Sequence, residues 1–405
     1  MASYPKKTFT GLALTAAAVT LVSCSGGAAS SAGGEEQVTL RTSTLFGPDN
    51  WQTQSIQAFA DAIEENSDGS VTLEFYYGDA LVAPGEYASA LGNGTLDIAY
   101  TLLSYTPDVF PVGNWISSAA FLHDPSPDAG SLQGAAATLD WAFSDEDYMA
   151  QFEAAGIQPL LPRLLAHDSY SLLCTDPATT LDEVAGKRVR VAGAAWSAEA
   201  ENLGMVPVDL PAAETYTSFQ QGVIDCFMGG ATDVDSLGLG ELGKNFTATG
   251  LTGYDSASLL MSEQAWNDLS VEQQQAIWDA LPVLLEGWFT GYREAEFAFA
   301  ANAADQGVVV SAPDSAMRSR IDSHHDSVLE EMVAGAPADV TDPEAALANF
   351  QQITADWAVR LTDLGYSMED ATWSDLAERL GGQPNDLGPW AEAVTAEILD
   401  AHRPE

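Results

Sequence analysis

Apolar and polar positions alternate through "VTLRTSTL" (38–45), which predicts a β-strand with one buried face. The next stretch, "NWQTQSIQAFADAIEENS", puts Ile56, Phe59, Ala60 and Ile63 on one side of a helix. "SDGS" breaks that helix, and "VTLEFYY" (71–77) predicts a second strand. "APGEYASALGNG" predicts a helix with Pro84 near its start and glycines at its end. "TLDIAYTLL" then returns to a strand pattern. Strand and helix in alternation imply a parallel-type α/β layer structure.

The same grammar recurs later. "RVRVA", "VPVDL" and "VIDCFMGG" read as strands, separated by the helical "WSAEAENLG" and "PAAETYTSFQQG". Glu86 stands eight residues before Gly94, with Asp97 three further on; Glu214, Gly222 and Asp225 repeat that spacing. Glutamate near a helix start complements the helix dipole, and glycine ends the helix. The match predicts two lobes of similar construction, with a ligand cleft between them that closes about a hinge. From about Ser262 the pattern is mostly helical, and "DPEAALANFQQITADWAVRLTDLG" and "GPWAEAVTAEILDAHR" add further helices. Such a region either braces two lobes or forms an appendage; periodicity leaves both readings standing.

The first residues do not fit this grammar. "MASYPKK" is basic and "FTGLALTAAAVTLV" is a short apolar run, as in an export signal. It ends in "LVSC", with "SGGAASSAGGEEQ" behind it. This resembles a bacterial lipoprotein signal cleaved before Cys24, whose thiol then carries lipid; an ordinary secretory signal with an incidental cysteine is the alternative. The expected organisation is a signal at 1–23 and a flexible tether at 24–37. Lobe I spans 38–160 and is completed by about 254–290, lobe II spans 161–253, and a helical region occupies 291–405. The rest of the chain has no apolar run long enough to span a bilayer, so the expected location is extracytoplasmic and lipid-anchored.

Outside the cytoplasm two cysteines are disulfide candidates. Cys174 in "YSLLCTD" and Cys226 in "VIDCFMG" both lie in strand-like runs; two buried free thiols are the alternative. The formal charge of −45, from 59 acidic and 14 basic side chains, argues against nucleic acid or anionic lipid as a non-specific partner. It otherwise describes a well-solvated surface.

No enzyme motif is present. The five histidines form no metal-binding spacing, and there is no nucleophile elbow, phosphate loop or dinucleotide fingerprint. No metal or other cofactor is expected. Against this acidic background, Lys187, Arg188 and Arg190 crowd into "GKRVRV" (186–191). On a strand Arg188 and Arg190 share one face and Lys187 takes the other. The planar fork of arginine grips a carboxylate with two parallel hydrogen bonds, so an arginine at a strand end facing a cleft suits an organic acid. A salt bridge to one of many acids is the competing reading from composition.

"GKRVRV" followed by "LGMVPVDLPAAETYTSFQQGVID" resembles the solute-binding proteins of tripartite ATP-independent periplasmic (TRAP) transporters, the DctP-type family. "FGPDNWQTQSIQAFADAIEENSDGSVTLEFYYG", "LGNGTLDIAYTLLSYTPDVFPVGNW" and "MSEQAWNDLSVEQQQAIWDAL" fit it in the same order, from about residue 38 to about 300. The resemblance implies a two-lobed, periplasmic-binding-protein-like α/β fold that delivers a small organic acid to membrane permease subunits driven by an ion gradient. In its G-x-x-x-R segment Gly186 is the glycine, and Arg190 is the arginine that binds the ligand carboxylate. Lys187 and Arg188 are then expected to be surface partners of neighbouring acids. Glu214 and Tyr216 match the E-x-Y segment, with Glu214 read first as support for the helix start.

Two departures bear on the ligand. Gly229 stands where many members carry asparagine, and "HDSYSLLC" lacks a second basic residue common in that strand. A less polar or aromatic monocarboxylate is therefore expected, with Trp51, Tyr105, Trp115, Trp196, Phe227 and Met228 as candidate cleft-lining side chains; core packing is the alternative for each. The competing functions are the receptor of an ATP-driven importer, the outer module of a sensor, a hydrolase or lyase using cleft acids, and a structural surface lipoprotein.

Overall fold

A computed structural model describes residues 36–78, 80–124, 129–164, 169–253, 257–366 and 386–405. The signal segment and Cys24 lie outside these residues. The strands are β1 (Val38–Thr44), β2 (Val71–Tyr77), β3 (Ile98–Leu102), β4 (Ile157–Leu161), β5 (Tyr170–Cys174), β6 (Arg188–Val191), β7 (Val206–Asp209), β8 (Cys226–Gly229), β9 (Asn245–Leu251), β10 (Ala257–Ser262) and β11 (Val309–Ser311).

They form two sheets, ordered β2-β1-β3-β10-β4 and β11-β9-β5-β8-β6-β7. In the first, β1 runs parallel to β2 and β3, while β10 is antiparallel to both β3 and β4. In the second, β6 runs parallel to β7 and β8, while β5 is antiparallel to both β8 and β9. The sheets are thus mixed, not parallel throughout as the alternation of elements suggested. The reason lies in the crossings: each antiparallel strand is entered from the other sheet, β5 from β4 and β10 from β9. A strand arriving that way is not the return of a βαβ unit, so the right-handed crossover that enforces parallel pairing does not apply.

Aligned in this way, β1, β2, β3, β10 and β4 correspond to β6, β7, β8, β5 and β9. The repeated Glu, Gly and Asp now have structural roles. Gly94 and Gly222 take φ of +72° and +67° just past their helices, where a left-handed residue ends the turn. Asp97 accepts from the backbone N–H of Arg41 at 2.7 Å and from its Nε and Nη2 at 2.8 and 2.7 Å. Asp225 accepts from the same three groups of Arg188 at 2.9, 2.9 and 2.6 Å. In both lobes, therefore, one bidentate pair ties the start of the third parallel strand to the first. The side-chain hydrogen bond between them raises the pKa of Arg188 and lowers that of Asp225. Lys187 departs from its expected acidic partner: its ammonium donates to the carbonyls of Pro177 at 3.0 Å and Asp176 at 3.4 Å.

The helix Leu281–Asn302 reaches across both sheets. Near its start Trp288 packs on Trp51 and Tyr100 of the first lobe, with ring centroids 5.1 and 4.9 Å away. Near its end Phe299 meets Phe246 of β9 at 4.7 Å. Twenty-two residues at about 1.5 Å each are long enough for this span. The region from 291 onward is not wholly helical, because β11 joins the second sheet beside β9.

The C-terminal helices brace the body and do not form an appendage. Indole N–H groups carry much of the attachment: Trp115 donates to Met332 O at 2.9 Å, Trp357 to Asp140 Oδ2 at 2.9 Å, and Trp390 to Leu132 O at 3.1 Å. The helix Ser315–Ala334 also reaches the second lobe, through Arg318 to Thr249 O at 2.7 Å and His325 to Glu199 at 2.8 Å. Among the described residues no helix is long and apolar enough to cross a membrane.

Cys174 and Cys226 face each other in the β5–β8 register and are joined by a disulfide. Both are wholly buried. The bridge closes a loop with a sequence separation of 52 residues, for which chain entropy gives a stabilisation of about 2–4 kcal/mol. Replacing both by alanine is expected to lower unfolding stability by about that amount in urea titrations. An unchanged midpoint at equal slope would show that the bridge contributes nothing.

Candidate functional site: an interlobe cavity built around Arg190

The parallel strands of both sheets end toward one cavity, the usual ligand position in open α/β sheets. From the first lobe come Leu45 and Phe46 after β1, Tyr100 and Leu102 of β3, Tyr105, and Gln52 near the start of the helix Trp51–Asn66. From the second come Tyr170 of β5, Arg190 and Ala192 at the end of β6, Phe227 of β8, and Ala212, Asp233 and Leu237. The inner space is narrow and shares Leu45, Phe46, Tyr105, Ala192, Ala212 and Leu237 with a wider mouth.

Arg190 is 5% exposed. Alternation along β6 sends Val189 and Val191 into the main core, and Arg190 to the opposite face beside Phe227 of β8. Its Nε donates to Leu210 O at 3.0 Å, and its guanidinium carbon lies 5.7 Å from the centre of the Phe227 ring. Among the described residues no carboxylate pairs with it. Two residues earlier, Arg188 is spent on Asp225. The two arginines of the cluster thus share a face of the strand but not a role.

The surrounding phenols are held neutral. Burial raises the hydroxyl pKa of Tyr100 and Tyr170 well above the ordinary value, and that of Tyr105 by a smaller step. Asp233 adds to each shift, while Arg190 opposes those of Tyr105 and Tyr170. The cavity is thus lined by neutral phenols, the Arg190 guanidinium and the Asp233 side chain, on a largely aromatic wall.

The residues singled out in the sequence divide. Arg190, Tyr105 and Phe227 line the cavity. Trp51 packs instead against Trp288 and Tyr292, and its neighbour Gln52 supplies the wall. Trp196 donates to Thr252 O at 2.9 Å and stacks behind Tyr170, with centroids 5.7 Å apart. Met228 points into the main core because it alternates with Phe227. Glu214 is exposed in the first turn of the helix Ala212–Gln220, and the Tyr216 hydroxyl meets Glu241 at 3.1 Å. Trp115 is occupied with the C-terminal brace. Motif and composition did not reveal Gln52, Tyr100, Tyr170 or Asp233. Position at the carboxyl ends of the predicted strands was the available signal for Tyr100 and Asp233.

Gly229 and Phe227 explain each other. A Cβ at Gly229 would collide with the Phe227 ring, so glycine here lets the ring lie across the strand beneath the guanidinium. An asparagine at this position would need the same space. Tyr170 similarly stands at the start of β5, the strand that lacks the second basic residue.

Comparison with known proteins agrees with this architecture. Residues 42–335 match the model of the bacterial extracellular solute-binding protein family 7, DctP. The chain belongs to that family, the extracytoplasmic solute-binding proteins of TRAP transporters. The ectoine-binding periplasmic protein TeaA of Halomonas elongata is 25% identical over 268 residues, 60% of this chain and 71% of that protein. An extracytoplasmic solute receptor of Bordetella pertussis, described as binding pyroglutamic acid, superposes with a TM-score of 0.66 at 18% identity, covering 78% of this chain and 99% of the receptor. A TRAP periplasmic solute-binding protein of Bordetella bronchiseptica with bound mandelate gives a TM-score of 0.66 at 20% identity, covering 79% and 99%.

Gly229→Ala is expected to cost about 1–3 kcal/mol by overpacking the ring. Most of that cost should vanish in a Phe227→Ala background, as a double-mutant cycle read by denaturant melts would show. Equal costs in both backgrounds would mean that the ring is not what glycine accommodates.

Proposed function

We propose that the protein captures a small organic carboxylate in this cavity and passes it to TRAP membrane permease subunits, with Arg190 as the carboxylate grip. One observation carries the reading: a buried guanidinium with no carboxylate partner among the described residues, in a chain with 59 acidic side chains. Burying an unpaired charge costs several kcal/mol. A ligand carboxylate supplies the missing partner through two parallel N–H···O bonds. The acids carried by the related receptors, pyroglutamic acid and mandelate, are of the same class.

We read the cavity as a binding site, because the family the chain belongs to is one of solute receptors. We read 38–160 with about 254–290 as one lobe and 161–253 as the other, closing over the ligand, with the brace from 291 onward steadying them. We further infer that the mature chain is anchored outside the membrane through lipid on Cys24.

The test is calorimetric titration with a panel of small carboxylates, using wild type and Arg190→Ala. The variant should bind an accepted acid at least about 30-fold more weakly, about 2 kcal/mol, while keeping its unfolding midpoint within a few degrees. Scattering during the same titration should show contraction. Equal affinity of the two proteins would remove Arg190 from the role. For the anchor, full-length protein expressed in a bacterial host should enter the detergent phase and lose that property as Cys24→Ala; partitioning unaffected by the substitution would exclude lipidation.

A further inference from the structure

The cavity contains two opposite charges that do not neutralise each other. Arg190 enters from β6. Asp233 enters from the short helix Ala231–Ser236 that follows β8. Among the described residues no ion pair joins them. Asp233 Oδ2 accepts from the backbone N–H of Gly230 at 3.1 Å, and the carboxylate has no further protein donor among the described residues. Both charges act on the same hydroxyls: Asp233 pushes the pKa of Tyr105 and Tyr170 up, and Arg190 pulls both down. The two groups therefore face one small space from different parts of its wall.

A ligand that is only an anion would satisfy Arg190 and leave Asp233 charged in a site from which closure expels water. That residual charge has a desolvation cost of its own. It would also repel the ligand carboxylate at low effective dielectric. A cationic nitrogen on the same small molecule removes both penalties. The lining favours it as well, because Tyr100, Tyr105, Tyr170 and Phe227 present ring faces that attract cations.

We propose that the ligand is a zwitterion, with a carboxylate held by Arg190 and a positively charged nitrogen, ammonium or amidinium, held by Asp233. This rests on the carboxylate reading above and narrows its ligand class from simple organic acids to amino-acid-like or betaine-like solutes. It departs from the expectation of a less polar monocarboxylate: aromatic walls are present, and a carboxylate stands among them.

The experiment uses matched probes, proline against pyroglutamate and γ-aminobutyrate against butyrate, with betaine and mandelate added. Each is titrated calorimetrically into wild type, Asp233→Asn and Arg190→Ala. The asparagine oxygen can still accept the Gly230 N–H, so the variant should fold, and its melting temperature checks this. A zwitterion should bind wild type more tightly than its uncharged-nitrogen partner. Asp233→Asn should weaken that zwitterion about tenfold or more, and leave the plain acids unchanged or improved. The proposal is overturned if the plain acids bind wild type as well as the zwitterions, if zwitterion binding survives Asp233→Asn intact, or if no zwitterion binds at millimolar concentration. Plain acids that bind and are lost in Arg190→Ala would keep the carboxylate grip while removing the role of Asp233. A zwitterion lost in Asp233→Asn but not in Arg190→Ala would remove the grip instead.

Discussion

A guanidinium buried without an anionic partner among the described residues is the constraint around which this protein is arranged. The chain has acids in excess, and they take up other cations readily: Arg41, Arg188, Arg360 and Arg403 each pair with one. Arg190 escapes that fate because β6 places it at the strand end toward the other lobe, on the face shared with Phe227. The ring beneath it and the Leu210 carbonyl beside it hold the fork in place without discharging it. Glycine at 229 is part of the same device, since it gives the ring its room.

The two lobes show how one scaffold serves unequal purposes. The Arg41–Asp97 and Arg188–Asp225 pairs use the same three donors on the same acceptor geometry, and each locks the first parallel strand to the third. Two residues beyond the paired arginine, the first lobe has Ser43 and the second has Arg190. A shared framework thus carries the charge on one side only. The first lobe answers with aromatic and amide groups, Tyr100, Tyr105 and Gln52.

Holding two sheets in register across a cleft requires elements that belong to both. The helix Leu281–Asn302 does this through Trp288 at one end and Phe299 at the other. The C-terminal helices add a second connection, pinned largely by indole donors to the first lobe and by Arg318 and His325 to the second. Such directional bonds fix orientation more than they add net stability, since each exchanges a bond to water for one to protein. They suit a body that must keep its two sheets aligned across the cavity.

Periodicity along the chain determined the strands, the helices, the duplicated lobe plan and the family, because these depend on local alternation and on short motifs at fixed spacing. Arg190 was legible for the same reason, as the arginine of a recognisable segment. Tertiary structure alone decided that β5 and β10 run antiparallel, that β11 completes the second sheet, and that the C-terminal helices brace the body. It also decided which aromatics face the cavity. Phe227 and Met228 are adjacent and equally apolar, yet the pleat sends one to the cavity and the other to the main core. Trp51 and Gln52 divide in the reverse sense, because a helix turns about 100° per residue and the long connecting helix claims the tryptophan. Asp233 was one acid among 59 in the sequence. Only the tertiary structure sets it apart, because lining the same cavity as Arg190 is a property of a shared space that no local pattern encodes.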